Sequence, residues 1–491
     1  MDKRKLFLFI FAIILLILIV GKRELKELKI LSKSTHHEYD INVKEYGAKG
    51  DCILDSNGKY ISGTDDTKAI ISAIKATPKN GTLFFPKGNY YYHYIDIVRS
   101  DITIVGNKAS LVSYVLPKSS KNAFHIIGSN IAIRNLEFKY DRPFNYNTTY
   151  KPSAFGSSNT IRLGGEHPDK LNGGWQQNIT IENCIINGGY SGGIDIYFAS
   201  NVRVINNKVT NTLGNGINFA NCLKNIVVEK NLIKNTRDDG IQNVCDENVP
   251  SGTKNYTVKN NKVINSYAKG ISTTGVDGAL ITENYVKNTW GGGIQPFSDT
   301  YYGLGLSKNV TVIKNQIFDS GRNFGANKYK TKASSNADGI YISSNTDNVK
   351  ITDNKIRNSF RHGIVAVNGS DIIDITNNSI ENNNGNGINI GNVNDLTYHS
   401  ASDVNISNNR IKDVGEYGIA IGGTNKGLIS DNNLKNWGNT NYPIYVKNSC
   451  NININENTFN SLAKNSSFNV VRLEGNLINV KDINNQTIFI Q

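Results

Sequence analysis

Short stretches in which apolar and polar residues alternate recur along most of the chain. Asn178-Ile-Thr-Ile-Glu-Asn-Cys-Ile-Ile has the same pattern as Asn201-Val-Arg-Val-Ile-Asn-Asn-Lys-Val, which starts 23 residues later. Further units begin at Asn225, Asn255, Gly278, Asn309, Asn348, Asp371, Asp403, Lys426 and Asn451. Alternation predicts short strands with one buried face, and a repeat of this length predicts a solenoid.

Two residue types recur at fixed places in these units. An asparagine follows the first strand, at Asn207, Asn231, Asn261, Asn284, Asn315, Asn354, Asn378, Asn409, Asn432 and Asn457. A Gly-Ile pair opens the next strand, at Gly193, Gly216, Gly240, Gly270, Gly293, Gly339, Gly363, Gly387 and Gly418. Stacked amides can bond to one another, and glycine permits a sharp turn. The shared register of both series predicts an all-β fold, a parallel β-helix in which each unit is one coil.

The two ends of such a solenoid expose strand edges and need caps. Thr64-Asp65-Asp66 is typical of a helix start, and Ala69, Ile70, Ala73 and Ile74 would form one apolar face. We therefore expect a β-helix domain over residues 36–480, with a capping helix in an N-terminal cap over about 40–95. Coils are expected over about 100–460 and a C-terminal cap over 461–491.

Residues 1–35 form a separate N-terminal segment. Lys3-Arg4-Lys5 precedes the apolar stretch 6–20, an arrangement typical of a secretory signal. Fifteen helical residues span only about 22 Å of a hydrocarbon core of about 30 Å, but flanking Lys and Arg can snorkel. An uncleaved signal-anchor is favoured over a cleaved signal peptide, because no small-residue cleavage site follows. The β-helix is thus expected outside the cytoplasm, held at the cell membrane by residues 6–20 or secreted after cleavage.

The net charge of +13 bears on the choice of partner. A basic surface attracts nucleic acid, anionic lipid or acidic polysaccharide. No concentrated basic run follows residue 30, which argues against nucleic acid and favours an acidic polysaccharide. Asp and backbone oxygens could hold Ca²⁺, although no calcium motif and no His pair at metal-ligand spacing is present. The sequence identifies no cofactor and leaves the oligomeric state open.

The opening of the chain resembles a known family. Val43-Lys-Glu-Tyr-Gly-Ala-Lys-Gly-Asp51, Asp65-Asp66-Thr67 and Phe85-Pro86-Lys-Gly-Asn-Tyr90 are similar to the opening of pectate-lyase-superfamily proteins. Polygalacturonase-type hydrolases, mannuronan C5-epimerases and phage tailspikes share that opening. The resemblance implies a right-handed parallel β-helix over roughly residues 40–480, although a shared fold does not fix the chemistry.

Residues that precede successive Gly-Ile pairs should form a surface row, since neighbouring coils lie about 4.8 Å apart. In that row Asp338 and His362 should lie side by side, with Arg361 next to them. A carboxylate beside an imidazole raises the pKa of the ring and fixes its tautomer. Arg361 could neutralise a uronate carboxylate, which would acidify the C5 proton for His362 to take.

Two families resemble this row in part. Asp338-Gly and Arg361-His-Gly are similar to motifs that mannuronan epimerases place on successive coils. On the coil before, that family's Tyr, Asp and His are replaced by Gly292, Gln295 and Phe297.

Asp238-Asp239 looks like the paired aspartates of polygalacturonase-type hydrolases, in which adjacent carboxylates share a proton. Asn215 and Lys269 stand where that family has Asn-Thr-Asp and Gly-His-Gly. Solvated turn carboxylates beside a cation explain this pair equally well.

Insertions lengthen the coils just before Asp338, over residues 298–308 and 321–336. Loops on a rigid scaffold often carry binding residues, in which aromatic faces stack on sugars and cations pair with uronates. The candidate substrate-binding residues are Lys269, Gln295, Tyr301, Tyr302, Arg322, Tyr329, Lys330 and Tyr341. The sequence predicts an enzyme that abstracts the C5 proton of a uronate polymer, as a lyase or an epimerase. A glycoside hydrolase and a non-catalytic glycan-binding or adhesion module remain as alternatives.

Overall fold

The chain winds into parallel coils, as the sequence predicts. The computed structural model describes residues 39–114, 121–141, 159–165, 175–249, 252–298, 303–323, 332, 334–343, 345–367, 369–391, 401–438, 442–461 and 471–489. Within them, a complete coil gives two strands to a 29-strand sheet and one strand to a 14-strand sheet. We call the latter the Gly-Ile sheet, because most of its strands begin at the isoleucine of a Gly-Ile pair.

The strands of the larger sheet form two stacks, which are joined because Ile102–Ser113 and Ile131–Tyr140 pair with strands of both. Its strands are Ile41–Asn42, Gly81–Phe85, Gly88–Tyr92, Ile102–Ser113, Ile131–Tyr140, Gln176–Glu182, Ile185–Gly189, Ala199–Ile205, Lys208–Thr212, Lys224–Glu229, Leu232–Thr236, Thr253–Lys259, Lys262–Ser266, Val276–Thr282, Tyr285–Thr289, Lys308–Ile313, Gln316–Phe318, Asp347–Thr352, Lys355–Arg357, Ile373–Thr376, Ser379–Glu381, Val404–Ser407, Arg410–Lys412, Gly427–Ser430, Asn433–Lys435, Ile452–Asn455, Thr458–Ser461, Lys481–Ile483 and Gln486–Phe489.

The Gly-Ile sheet forms the remaining wall of the coil. Its strands are Ile95–Val98, Phe124–Ile127, Ile161–Leu163, Ile194–Tyr197, Ile217–Ala220, Ile241–Val244, Ile271–Thr274, Ile294–Phe297, Ile340–Ile342, Ile364–Ala366, Ile388–Ile390, Ile419–Gly422, Ile444–Lys447 and Val471–Glu474. A small antiparallel hairpin joins Ile53–Leu54 to Tyr60–Ser62.

Stacked β-branched side chains fill the interior. Ile340, Ile364 and Ile388 lie in register on successive strands and are fully buried. The same pattern continues in one hydrophobic cluster from Val43 to Phe459. Burial of each such side chain stabilises the fold by about 1.5–3 kcal/mol, so the core is a sum of similar contributions from each coil.

A ladder of buried asparagines holds one corner of the coil, and we call it the asparagine ladder. Asn354 Oδ1 accepts hydrogen bonds from the backbone N–H and from Nδ2 of Asn315, at 2.9 and 3.0 Å. Asn354 Nδ2 in turn donates to Asn378 Oδ1 at 3.0 Å and to the carbonyl of Val312 at 2.8 Å. The residue before each rung, such as Asp353 with φ 56°, is left-handed, a conformation that Asn and Asp tolerate well. The ladder therefore satisfies buried polar groups at every turn of this corner.

The predicted capping helix is present at the front end. It spans Thr67–Ala76 and buries Ile70, Ala73 and Ile74. A short 3-10 helix, Val43–Tyr46, precedes it. Asp66 does not cap the helix with its side chain but accepts the backbone N–H groups of Lys49 and Gly50, at 2.7 and 3.0 Å. That carboxylate thus ties the opening segment to the cap.

Parallel strand pairing continues beyond the residues 100–460 expected for the coils at both ends. Gly81–Phe85 and Gly88–Tyr92 already pair in parallel with Ile102–Ser113, inside the expected N-terminal cap. In the expected C-terminal cap, the strands over residues 471–489 pair in parallel with the coil before them. Asn485 Oδ1 accepts the N–H of Asn457 at 2.9 Å, so the ladder continues without a Gly-Ile pair.

In the part of the chain that the structure describes, no helix combines the length and apolar character needed to cross a membrane. The apolar stretch 6–20 lies outside the described residues.

Replacing Asn354 by Ala should destabilise the fold strongly. The change removes five side-chain hydrogen bonds and leaves buried groups of Asn315 and Val312 unpaired. We expect a loss of about 3 kcal/mol or more in the free energy of unfolding, measured by urea denaturation. Asn405→Ala is the matched control, because Asn405 donates one side-chain hydrogen bond, to Asp374, and its loss should cost about 1 kcal/mol or less. Equal losses in the two variants would contradict this role of the ladder.

Candidate functional site

The outward side chains of the Gly-Ile sheet form a continuous row, which we call the outer row. Each except Arg472 lies between two buried residues of its strand, and neighbouring strands of the sheet pair in parallel. The row is polar at the front and more apolar towards the back. In chain order it contains Asp96, His125, Arg162, Asp195, Asn218, Gln242, Ser272, Gln295, Tyr341, Val365, Asn389, Ala420, Tyr445 and Arg472.

The residues before the Gly-Ile pairs form a second series, which we call the turn ladder. Asn159, before Thr160-Ile161, holds the equivalent place on an earlier coil. Where the residue is Asn, Asp or His, an acceptor atom of its side chain receives the backbone N–H of the equivalent residue on the next coil. The pairs are Asn159 with Gly192 (2.8 Å), Asn215 with Asp239 (3.1 Å), Asp239 with Lys269 (2.7 Å), Asp338 with His362 (2.9 Å), His362 with Asn386 (2.8 Å) and Asn386 with Tyr417 (3.0 Å). The expectation of a surface row is wrong for Asp239, Asp338 and Asn386, which are buried because their side chains turn towards the next coil.

Asp338 is a fully covered carboxyl group at the start of Ile340–Ile342. Its Oδ1 accepts the His362 N–H and lies 3.7 Å from Arg361 Nε. Its Oδ2 is buried and has no hydrogen-bond partner among the residues that the structure describes. Burial raises the pKa of Asp338 to about 7, although Arg361 and the His362 N–H act to lower it. Asp338 can therefore hold or release a proton near neutral pH.

Arg361 and Tyr341 adjoin this carboxyl group. The Arg361 side chain is 36% exposed, so its guanidinium can reach an anionic ligand as well as Asp338. Burial raises the pKa of the Tyr341 hydroxyl above its ordinary value, and the Asp338 charge adds to that effect. Tyr341 consequently stays protonated and can donate a proton or a hydrogen bond.

The predicted effect of Asp338 on the His362 ring is wrong. Asp338 accepts the backbone N–H of His362, and the ring Nδ1 accepts the N–H of Asn386 instead. Burial, together with the positive charge of Arg361, lowers the pKa of His362 to about 4, so the ring is neutral at pH 7. With Nδ1 as acceptor, the proton resides on Nε2. In this tautomer His362 can donate a hydrogen bond to a ligand, but it has no free lone pair with which to take the C5 proton.

The second candidate pair is divided between the interior and the surface. Asp239 is fully buried, and its Oδ2 accepts hydrogen bonds from Ser272 Oγ at 2.6 Å and from Gln242 Nε2 at 3.1 Å. Lys269 Nζ lies 3.5 Å from the same oxygen. Asp238, in contrast, is exposed. The hydrogen bonds and the nearby Lys269 ammonium are contacts typical of a carboxylate with a structural role. Proton sharing between Asp239 and Asp238 stays a prediction.

The other candidate binding residues differ in their burial and in their contacts. Gln295 is buried in the outer row, and its Oε1 accepts from Asn336 Nδ2 at 2.9 Å. Arg322 donates to the Asn358 carbonyl at 3.1 Å and to Asn384 Oδ1 at 3.0 Å, so it fastens a loop to the coils. Lys269 lies over the Phe297 ring, 5.4 Å from its centroid. Tyr301, Tyr302, Tyr329 and Lys330 lie outside the described residues.

Sequence reasoning missed Asp195 and Arg162 in the outer row. Asp195 is 4% exposed, and burial raises its pKa to about 6 against the opposing effects of Asn218 and Arg162. An available signal was the acidic residue after Gly193-Ile194, because the equivalent positions on the next coils hold Asn218, Gln242 and Ser272. The described residues contain no group of three His, Cys, Asp or Glu side chains arranged to hold a metal ion.

Comparison with protein families agrees with this architecture. Residues 249–400 match the model of the right-handed β-helix region. Residues 40–295, more than half of the chain, match the model described as rhamnogalacturonase A/epimerase, pectate lyase-like. The chain belongs to this pectate lyase-like family. The right-handed parallel β-helix that the sequence predicts is therefore confirmed.

Several solved structures are similar to this chain at low sequence identity. The A-module of an Azotobacter vinelandii mannuronan C-5 epimerase is 14% identical, with 91% of this chain and 99% of that chain covered and a TM-score of 0.42. The Streptococcus pneumoniae surface adhesin PfbA is 16% identical, with 90% and 93% covered and a TM-score of 0.46. A family 28 exopolygalacturonase of Yersinia enterocolitica is 14% identical, with 90% and 78% covered and a TM-score of 0.42. A search of curated proteins gave no significant match.

The two buried titratable groups should give opposite pH dependences of stability. Between pH 3.8 and about 7, Asp338 binds more protons in the folded state, so its contribution is lost as pH rises. Between about pH 4 and 6.5, His362 binds more protons in the unfolded state, so its contribution is lost as pH falls. Asp338→Asn keeps the acceptor for the His362 N–H but removes the first dependence. We expect the stability of wild type relative to this variant to fall by up to about 1.4 kcal/mol per pH unit across the acid range, measured by urea unfolding.

The control for this pH dependence is His362→Asn, which preserves an acceptor for the Asn386 N–H and should show the opposite slope. Parallel stability curves for wild type and Asp338→Asn would contradict the assignment.

Proposed function

We propose that the protein acts on an acidic polysaccharide that lies along the outer row, and that Asp338 exchanges the C5 proton of a uronate unit. The observation that supports this most is the enclosed Asp338 carboxyl group, with an unpaired Oδ2, beside a partly exposed arginine. Groups with strongly shifted pKa values near a cation are typical of catalytic sites. The proposal moves the role of the base from His362 to Asp338.

The first step is recognition of the uronate carboxylate by Arg361. A substrate carboxylate competes with Asp338 for the guanidinium, because both are anions and the Nε to Oδ1 contact is already 3.7 Å long. Movement of the Arg361 side chain towards the substrate uncovers Asp338 and removes its counter-charge. Loss of that charge makes the Asp338 carboxylate more basic.

The second step is removal of the C5 proton. Asp338 takes the proton, and the electron pair from the C5–H bond moves into the substrate carboxyl group, where Arg361 stabilises the added charge. In a lyase the C4–O bond then breaks, a C4–C5 double bond forms, and Tyr341 protonates the departing oxygen. In an epimerase Tyr341 donates its proton to the opposite face of C5 and is reprotonated from solvent, while Asp338 releases the proton that it took. His362 Nε2–H orients the sugar by donating a hydrogen bond.

Asp338→Asn should abolish turnover without loss of the fold. Asn is the resident residue at three other positions of the turn ladder, Asn159, Asn215 and Asn386, so the backbone contact is retained. We expect a fall of about a hundredfold or more in kcat, measured on polygalacturonate, polymannuronate and rhamnogalacturonan. Ultraviolet absorbance of unsaturated ends detects a lyase, and proton NMR of the uronate units detects an epimerase.

Asp374→Asn is the matched control, because it makes the same change on a strand of the 29-strand sheet. It should leave the rate unchanged. Undiminished turnover by a folded Asp338→Asn variant would remove the proposal, and new reducing ends without absorbance would indicate a hydrolase.

Glycan binding without turnover is the second candidate function. The turn ladder supports it, because Asp338 and His362 accept the next coil's N–H in the same way as Asn215 and Asn386. These residues thus have a structural role that needs no reaction. Retained binding of a uronate polymer, with no change in any of the three polymers, would favour this candidate.

We also propose that residues 6–20 place the β-helix outside the cytoplasm. The apolar stretch preceded by basic residues supports export. Protease added to intact cells should then digest the β-helix region, whereas a cytoplasmic marker should survive. Protection of the β-helix until the cells are lysed would argue against export.

A further inference from the structure

Three neighbouring members of the outer row each carry a buried polar atom that lacks a partner. These atoms are Arg162 Nε, Asp195 Oδ2 and Asn218 Oδ1, and none has a hydrogen-bond partner among the described residues. The three residues are in direct register on adjacent strands. Unpaired buried groups are rare in native proteins, and three in succession indicate that a ligand supplies the missing partners.

The unpaired stretch has defined ends within the row. On one side His125 contacts Asp96 at 3.0 Å and the Gly164 carbonyl at 2.9 Å. On the other side Gln242 accepts from Asn215 and donates to Asp239, at 2.8 and 3.1 Å. The unpaired stretch, which we also call the gap, therefore covers the three strands of Arg162, Asp195 and Asn218, about 10 Å from the first to the last.

A glycine in the turn ladder makes room for the central carboxyl group. A Cβ atom added to Gly192 would lie 1.9 Å from Asp195 Oδ2, so no larger residue fits there without moving Asp195. Asp195 Oδ1 accepts from Asn218 Nδ2 at 2.9 Å, which fixes the carboxyl plane and leaves Oδ2 without a partner. The coils around Asp239 and Asp338 have no comparable space, because their ladder side chains bond to the next coil.

Arg162 and Tyr197 form the rim of this gap. Both are partly exposed, and the Arg162 guanidinium lies 3.9 Å from the centroid of the Tyr197 ring. This stack holds the guanidinium over the Tyr197 ring. Arg162 and Tyr197 are thus the partly exposed side chains that border the three unpaired atoms.

We propose that Arg162, Asp195 and Asn218 form a sugar-binding subsite, distinct from the Asp338 cluster, for one glycosyl unit of a polymer on the outer row. Two sugar hydroxyls donate to Asp195 Oδ2 and Asn218 Oδ1, and a ring or carboxylate oxygen accepts from Arg162 Nε. Five strand spacings, about 24 Å, separate Asp195 from Asp338, so a polymer rather than a monosaccharide engages both. The subsite shares the polymer of the proposed function but does not require turnover.

Asp195→Asn tests the subsite, because an asparagine keeps the acceptor for Asn218 and presents an NH₂ group where a sugar hydroxyl must donate. Isothermal titration of the full chain uses polygalacturonate, polymannuronate and cello-oligosaccharides as probes. We expect the variant to bind its preferred polymer about tenfold more weakly or worse, with an unchanged melting temperature and Asp374→Asn as the unaffected control. If the protein has turnover, KM should rise while kcat is retained.

The outcomes separate this inference from the proposed function. Binding that depends on Asp195 in a protein without turnover supports the subsite and removes the Asp338 chemistry. Equal affinities of wild type and Asp195→Asn, or no binding of any probe, overturn the subsite even if turnover is found. If Asp195→Asn fails to fold, Arg162→Gln makes the same test, because that side chain is partly exposed and the change removes the Nε donor together with the positive charge.

Discussion

Each coil has to turn its corners without leaving buried backbone N–H groups unpaired, and the rest of the structure depends on how it does so. In the walls of the coil, strand pairing provides acceptors for the backbone N–H groups. At the corners, the N–H groups of the next coil need an acceptor from a side chain. The asparagine ladder supplies that acceptor at one corner, as between Asn315 and Asn354. The turn ladder supplies it before the Gly-Ile pairs with whichever of Asn, Asp or His is present.

The same constraint determines which chemistry the side chains can perform. Asp338 and His362 each use one acceptor atom to hold the next coil, so only the remaining atom is available for a ligand. For His362 the remaining atom is a donor, Nε2–H, whereas for Asp338 it is the unpaired Oδ2. Asp195 is different because Gly192 beside it has no side chain, so the carboxyl group occupies that space. The residues of the turn ladder thus pair the N–H groups at the corner and determine which of their own atoms remain for a ligand.

The sequence predicted the coil, the capping helix and both repeating series, because alternation, asparagine and Gly-Ile directly reflect strand, corner and turn. It did not predict the direction of the Asp338 and His362 side chains, since that depends on a backbone N–H of another coil. Val471–Glu474 has no Gly-Ile pair to mark it as a strand of the Gly-Ile sheet, although Asn485 continues the asparagine ladder. Asp195 was missed for a different reason. Its acidic side chain differs from Asn218, Gln242 and Ser272 at the equivalent positions, but the sequence does not show that Gly192 leaves space for the carboxyl group.

The number of residues between successive rungs of the asparagine ladder varies, but the hydrogen-bond distance between the rungs does not. Asn261 and Asn284 are 23 residues apart and Asn315 and Asn354 are 39 apart, but both Nδ2 to Oδ1 distances are 3.0 Å. Extra residues therefore lie in the segments between two rungs and do not change how the asparagines stack. Segments of different length can be exchanged at these junctions, so natural variation or protein engineering can alter recognition while the scaffold keeps its pitch.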